Sequence, residues 1–348
     1  MKIIIGMSGG ADSTAAAWLL KQKGHELTGI TLSLWDEASR CCNIEDIMDA
    51  KAACAKLGIR HYTLNLKTEF REKVVEPFID SYFSGETPNP CVLCNEEIKF
   101  AALIKKMKEL SYDKVATGHY ARTAKKSGQF VLKAGKDKTK TQEYFLARLK
   151  KEELKNIIFP LGNMEKKEIK EIIKKQGLLR EKPESQEVCF LSGNETPFDF
   201  IKRQRGYSGE PGGLYLNGKK IKTLDTPYFN YTIGQRKGLN YSAGKPVYVV
   251  KIDADEKKVF LGEKEETFSR EFSVKDLNVL YGTGSEFKAA VKIRYLHKAA
   301  PATVKISGNN ALIVFSKPQF AVTPGQLAVI YRGGCVAASG FISGEKAG

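Results

Sequence analysis

Lys2-Ile3-Ile4-Ile5-Gly6-Met7-Ser8-Gly9-Gly10-Ala11-Asp12-Ser13 opens the chain with a β-branched run that passes through a glycine-rich turn into the helical stretch from Thr14 to Leu20. A strand that ends on glycines and feeds a helix directly is one half of a parallel βα unit. Working outward, Leu27 to Leu34, His61 to Leu66 and Lys114 to Gly118 are further strand candidates. Helix patterns separate them near Ser13 to Lys23, Asp46 to Lys56, Glu69 to Phe83 and Asn95 to Leu110. Strands alternating with helices over the first 120 residues predict an α/β fold built on a parallel sheet.

The turn itself is suited to an anion. Two adjacent glycines let the backbone approach closely, and Ser8, Ser13 and the first N–H groups of the helix can donate to phosphate oxygens. The spacing fits neither a Walker loop nor a dinucleotide fingerprint.

Between Lys150 and Gln176 the sequence reads as charged amphipathic helix, and after Gly206 helix patterns give way to Gly, Pro and short β-rich runs. Those runs are Pro246 to Ile252, Lys288 to Tyr295, Ala302 to Ile306, Ala311 to Phe315 and Gln326 to Tyr331, which predict small β-barrels in the C-terminal third. Boundaries near Phe200 and Phe268 give three expected domains: 1–200, a catalytic α/β domain; 201–267, a central β-rich domain; and 268–348, a C-terminal β-barrel.

The chain of 348 residues carries a formal charge of +16, and between Lys99 and Glu184 there are 23 Lys and Arg against 11 Asp and Glu. Such a stripe is the footprint of a polyanion partner. No apolar stretch approaches the roughly 18 residues of a membrane span, and no leader pattern precedes Lys2, so a cytoplasmic protein is expected.

Seven cysteines, at 41, 42, 54, 91, 94, 189 and 335, point in that setting to catalysis or metal binding before structural disulfides. Cys54 recurs with Ile47, Ala50 and Leu57 at helical spacing and reads as core packing. Cys335 reads as packing too, and Cys41-Cys42 as loop residues. Cys94 precedes a helix expected to start near Asn95 and to carry Lys99; a thiol at a helix N-terminus near basic charge is expected to hold a useful thiolate fraction. It is the expected nucleophile. Cys189, in Ser185-Gln186-Glu187-Val188-Cys189-Phe190, is the second reactive candidate.

Ser8-Gly9-Gly10-Ala11-Asp12-Ser13 resembles the pyrophosphate loop of ATP pyrophosphatases, which cleave ATP between its α and β phosphates. With Thr87-Pro88-Asn89-Pro90-Cys91-Val92-Leu93-Cys94-Asn95 and Ser185 to Phe190 it resembles the bacterial tRNA-specific 2-thiouridylase family along the full chain. Further landmarks are Asp137 to Leu146, a variant of Asp-x-x-Lys-Asp-Gln-Ser-Tyr-Phe-Leu, then Tyr231 to Leu239, Arg294-Tyr295 and Thr323-Pro324-Gly325-Gln326.

The resemblance implies an N-terminal Rossmann-like domain of the adenine nucleotide hydrolase type and a tRNA-uridine 2-sulfurtransferase using ATP with magnesium. It implies ATP contacts at Gly6, Met7, Ser8, Gly9, Gly10, Ala11, Asp12, Ser13, Leu32 and Gly118, with Asp12 helping to hold magnesium. It places Asn89, Pro90 and Cys91 at the target base and assigns Lys140, Thr141, Gln142, Arg294 and Tyr295 to tRNA. Cys94 and Cys189 would be catalytic, with sulfur carried as a Cys189 persulfide. Implied partners are the anticodon loop of tRNA, with its wobble uridine, and a sulfur donor such as a cysteine desulfurase or sulfur-relay protein.

The chain departs from the family pattern at Cys91, where Asp is commoner. That creates Cys-x-x-Cys with Cys94 and, with Cys189, a potential three-thiolate set for an iron–sulfur cluster in place of a persulfide. Thr141 stands where the pattern has Asp, and Thr226 to Asn230 where it has His and Gly. A small-molecule amide-forming synthetase would share the phosphate loop but not the cysteines or barrels. A pure RNA-binding protein would leave the loop without a purpose.

Overall fold

The computed structural model describes residues 1–35, 44–178, 188–192, 195–207, 209 and 211–344. Cys41, Cys42 and Ser185 to Glu187 lie outside the described residues. The chain divides into two compact units, one of Met1–Val75, Pro90–Gly193 and Gly333–Val336, the other of Glu76–Asn89, Asn194–Arg332 and Ala337–Gly348.

The first unit is built on a five-stranded sheet of β1 (Lys2–Gly6), β2 (Glu26–Ser33), β3 (Arg60–Asn65), β4 (Lys114–Ala116) and β7 (Ile157–Ile158), in the order β3-β2-β1-β4-β7. Every pairing in it is parallel. β1 is central, and Ile3, Ile4 and Ile5 are all fully buried, as a strand covered by helices on both faces requires. On one face the helices Ala11–Gln22, Ile44–Leu57 and Lys166–Gln176 bring Ala15, Ala16, Leu20, Ala50, Cys54, Ile169 and Ile173 into a single core with Ile3 and Ile5. The helix Lys166–Gln176 is delimited by its own sequence: Glu165 and Glu168 form a capping box, and Gly177 ends it at φ +58°.

Two features here were not anticipated from the sequence. A hairpin, β5 (Ala121–Lys126) and β6 (Gln129–Ala134), follows the fourth strand. The segment expected to be helical from Lys150 divides into a 3₁₀ turn at Lys151–Asn156, then β7, and becomes α-helical only at Lys166. The apolar Ile157-Ile158 finds an open edge beside β4, and tertiary pairing overrides the local helical pattern.

The second unit contains a four-stranded sheet in the order β10-β11-β8-β9, from β8 (Gly213–Leu216), β9 (Lys219–Thr223), β10 (Tyr248–Asp253) and β11 (Lys258–Gly262). A closed barrel follows, in the order β12-β15-β14-β13-β16-β17, from β12 (Phe268–Val279), β13 (Glu286–Lys292), β14 (Ala300–Ser307), β15 (Asn310–Phe320), β16 (Leu327–Arg332) and β17 (Cys335–Ile342). Closure leaves no exposed edge, and alternate residues such as Ala311, Ile313 and Phe315 fill the interior. The α/β-plus-barrel class read from the sequence is the observed one.

Candidate active site

In an open parallel sheet a ligand binds beyond the strand C-termini, where the order reverses. That point lies between β1 and β4, so the Met7–Gly10 and Thr117–Tyr120 loops border the same crevice. Their approach is close: a Cβ on Gly118 would sit 2.7 Å from the backbone carbon of Asp12 and the backbone nitrogen of Ser13. Gly9 takes φ +74°, and a Cβ there would run into the Asp46 carbonyl. Both glycines are thus required, one by packing and one also by conformation.

Gly10, the N-cap of the helix that starts at Ala11, has no side chain to cap it, so the N-terminal dipole faces the turn. Ser13 Oγ donates to the Gly10 carbonyl at 3.0 Å and accepts from the Ser8 N–H at 3.2 Å. The Ser8 and Ser13 hydroxyls are 3.2 Å apart. Leu32 is buried near the end of β2, and Met7 packs into the core.

Asp12 carries the charge of this loop and is heavily engaged. Lys166 Nζ lies 2.7 and 2.8 Å from its two carboxylate oxygens, and Tyr120 donates its hydroxyl to Oδ1 at 2.7 Å. The Lys166 ammonium also sits 5.7 Å from the centre of the Tyr120 ring. Neither Lys166 nor Tyr120 was singled out from the sequence; each looks like one more residue of a lysine-rich helix or of a strand-to-loop junction. A single carboxylate suits magnesium, which commonly takes one or two carboxylates and completes its shell with phosphate oxygens and water.

Thr141 and Gln142 meet Tyr120 behind this point, and Lys140 before them is half-buried. Thr141 is buried; its hydroxyl accepts from the Gly135 N–H at 2.7 Å and donates to the carboxylate of Glu143, itself buried. Thr141 and Glu143 thereby exchange the carboxylate and hydroxyl of the Asp-Gln-Ser pattern. Gln142 accepts the Tyr120 N–H on Oε1 at 2.8 Å, while its own N–H donates to the Tyr120 carbonyl at 2.8 Å. His119 is half-buried beside Phe100 and Phe159, with Nδ1 2.8 Å from the Thr117 hydroxyl. Desolvation, and secondarily the charge of Lys99, holds its pKa well below the usual histidine value, so the ring is neutral at pH 7.

The cysteine helix differs from expectation. It begins at Pro90, not near Asn95, runs as α-helix to Leu93, continues as π-helix over Cys94–Phe100 and returns to α-helix at Ala101–Glu109. Proline fits the first helical turn, where its missing N–H costs nothing. Cys94 therefore lies one turn inside, 4% exposed, beyond the first turn in which the helix dipole is strongest. Cys91, half-buried, occupies the position expected of Cys94.

Arg148 braces the π-helix with a bidentate pair to Glu96, at 2.9 and 3.1 Å. Asn95 donates to the Phe145 carbonyl at 3.2 Å. A π-helical turn adds one residue to the repeat and is often found where side chains are aimed at a function.

Cys189 is half-buried, and the adjoining Phe190 ring packs 5.8 Å from Phe70 and 6.3 Å from Trp35. Among the described residues no three Cys, His, Asp or Glu side chains assemble as a metal-binding group, so Cys91, Cys94 and Cys189 do not present a cluster ligand set here. Cys54 and Cys335 are fully buried, and burial pushes the Cys54 thiol up to about 11, as core packing implies.

In the second unit several landmarks meet. Arg294 donates to the Ile233 carbonyl at 3.1 Å and to the Thr323 hydroxyl. Thr87 is held by the Pro324 carbonyl, by Gln326 Nε2 and by the Thr232 hydroxyl. Tyr295 is half-exposed, with Lys292 Nζ 5.4 Å from its ring centre.

Residues 1–193 match the tRNA methyl transferase HUP domain family, 219–263 its PRC-barrel domain and 269–342 the aminomethyltransferase beta-barrel domain. The tRNA-specific 2-thiouridylase MnmA of Carboxydothermus hydrogenoformans is 40% identical over 95% of this chain and 94% of its own. The chain belongs to the tRNA-specific 2-thiouridylase family. Two further 2-thiouridylases, from Geobacter metallireducens and Clostridioides difficile, are 39% and 38% identical, each over 98% of this chain and 96% and 98% of their own. The 2-thiouridylase likeness thus spans both compact units. A solved 4-thiouridine synthetase–RNA complex with bound ATP matches at 19% identity and a TM-score of 0.34, over 51% of this chain and 41% of its own, too distant to bear on mechanism.

Proposed function

We propose that this 2-thiouridylase adenylylates the 2-oxygen of a wobble uridine in tRNA and replaces it with sulfur from a cysteine persulfide. The observation that supports this most is kinship to 2-thiouridylases over nearly the full chain combined with a glycine-rich turn at the switch point of the sheet.

ATP occupies the Gly6–Ser13 turn, with Leu32 and Gly118 bordering it. The amides of the helix start and the Ser8 and Ser13 hydroxyls donate to phosphate oxygens. Asp12 would hold magnesium, which when bound neutralises charge on the leaving pyrophosphate. The uridine oxygen attacks the α-phosphorus and pyrophosphate departs, so a poor leaving group becomes AMP.

The terminal sulfur of a Cys189 persulfide then attacks C2 and AMP leaves. The Cys94 thiolate attacks the Cys189 sulfur, which breaks the S–S bond, frees the 2-thiouridine and leaves a Cys94–Cys189 disulfide for an external thiol to reduce. Asn89, Pro90 and Cys91 border the base. Lys140 and Tyr295 touch RNA directly, with Thr141 and Gln142 behind the first and Arg294 beside the second in the chain. The lysine-rich stretch from Lys99 to Glu184 supplies the salt-dependent part of binding. A sulfur donor loads Cys189 in the cytoplasm.

The test is Cys94→Ser and Cys189→Ser in protein assayed with ATP and unmodified tRNA. Both should lose thiolation while tRNA-dependent pyrophosphate release persists. Thiolation at the normal rate in either variant overturns the assignment.

A further inference from the structure

The loop from Asp137 to Gln142 holds both groups that touch the Asp12 carboxylate. Gln142 brackets Tyr120 from two directions, its Oε1 accepting the Tyr120 N–H and its N–H donating to the Tyr120 carbonyl. Tyr120 in turn donates its hydroxyl to Asp12. At the other end of the loop Asp137 Oδ2 accepts the backbone N–H of Lys166 at 3.1 Å, while its Oδ1 accepts the N–H of Thr139 at 2.9 Å. Lys166 is the first residue of its helix, and its ammonium returns to Asp12. One short loop therefore fixes the two donors that converge on one carboxylate.

We propose that Gln142 is a positioning residue for the nucleotide step, acting through Tyr120 on Asp12. The proposal rests on the reading that the Ser8–Ser13 turn takes ATP. The Gln142 Oε1 that accepts the Tyr120 N–H holds the carboxamide in one orientation, and turning it away would cost that bond in a partly buried place. Meanwhile the Tyr120 ring has its polar end on Asp12 and its backbone locked by Gln142, so a shift in the bracket moves the hydroxyl. Lys140, two residues earlier and partly exposed, would meet the phosphate backbone, so a single loop joins an RNA contact to the setting of Asp12.

The experiment compares Gln142→Ala, Gln142→Glu and Tyr120→Phe in the full chain, following AMP formation with ATP, magnesium and an unmodified tRNA transcript. Gln142→Ala should raise the KM for ATP about tenfold, the loss of one positioned hydrogen bond, and leave the KM for tRNA within about twofold. Gln142→Glu keeps the acceptor at Oε1 and should recover most of the loss. Tyr120→Phe removes only the hydroxyl and should reproduce the ATP defect, which guards against a variant that does not fold. A raised KM for tRNA with the KM for ATP unchanged, or equal losses in Gln142→Ala and Gln142→Glu, overturns the proposal. Wild-type protein that forms no AMP overturns the nucleotide reading itself and is separable from either result.

Discussion

Lys166 sets its ammonium 2.7 and 2.8 Å from the two carboxylate oxygens of Asp12, across 154 residues of sequence. The lysine side chain is 11% exposed and Asp12 34%, so the pair is shielded on one side and open on the other, toward the crevice. Lys166→Met should cut AMP formation roughly 10- to 100-fold, the worth of a charged hydrogen bond, and lower the unfolding midpoint only slightly. Steady-state pyrophosphate release and urea unfolding of the same preparation check both halves. A fully active variant would mean that Asp12 needs no partner.

Gly118→Ala is expected to act on the phosphate loop without unfolding the sheet. Its Cβ would meet the backbone of Asp12 and Ser13 at 2.7 Å, and backbone cannot rotate aside as a side chain can. ATP affinity should weaken by about tenfold or more, read by nucleotide titration, while the melting temperature changes by only a few degrees.

Thr141 and Glu143 form a buried hydroxyl–carboxylate bond. Glu143→Ser alone should destabilise the protein by about 2 kcal/mol, because it empties a buried site and strips the Thr141 hydroxyl of its acceptor. Adding Thr141→Asp, which restores a carboxylate opposite a hydroxyl, should recover at least half of that. Chemical denaturation of the two single variants and the double variant supplies the coupling energy; simple additivity would show that the two positions do not act as a pair.

His119 predicts a pH dependence. Its folded pKa is depressed, so below the ordinary value near 6.5 the unfolded chain gains a proton that the folded ring refuses. Its contribution to stability is whole above that value and declines as the pH falls below it, by at most about 1.4 kcal/mol per unit. His119→Asn should flatten the stability profile between pH 7 and 5. His61 and His297, also depressed mainly by desolvation, leave a residual slope. An unchanged profile in the variant would show that His119 titrates alike in both states.

Much of this site was legible in the chain because its signals are local. The β-branched run into Gly9-Gly10 set a strand, a tight turn and an uncapped helix start within about a dozen residues, and the period of Ala50, Cys54 and Leu57 marked a buried helix face. Alternation in Ala311 to Phe315 marked a strand with one face inward. Conformational preference and hydrophobic period act over a few residues and need no knowledge of what lies opposite.

What the sequence by itself determined was the α/β-plus-barrel class, the glycine-rich turn from strand to helix and the set of thiols to consider. Tertiary structure alone decided that Lys166 and Tyr120 share Asp12, that Gln142 faces Tyr120, and that Cys94 sits in the second turn of a helix opened by Pro90. The relations around Asp12 and Tyr120 depend on β4 lying beside β1 and on β7 closing the edge before the helix at Lys166. Charge pairing and hydrogen bonding between residues 22 to 154 positions apart follow from strand order, which local propensity does not encode.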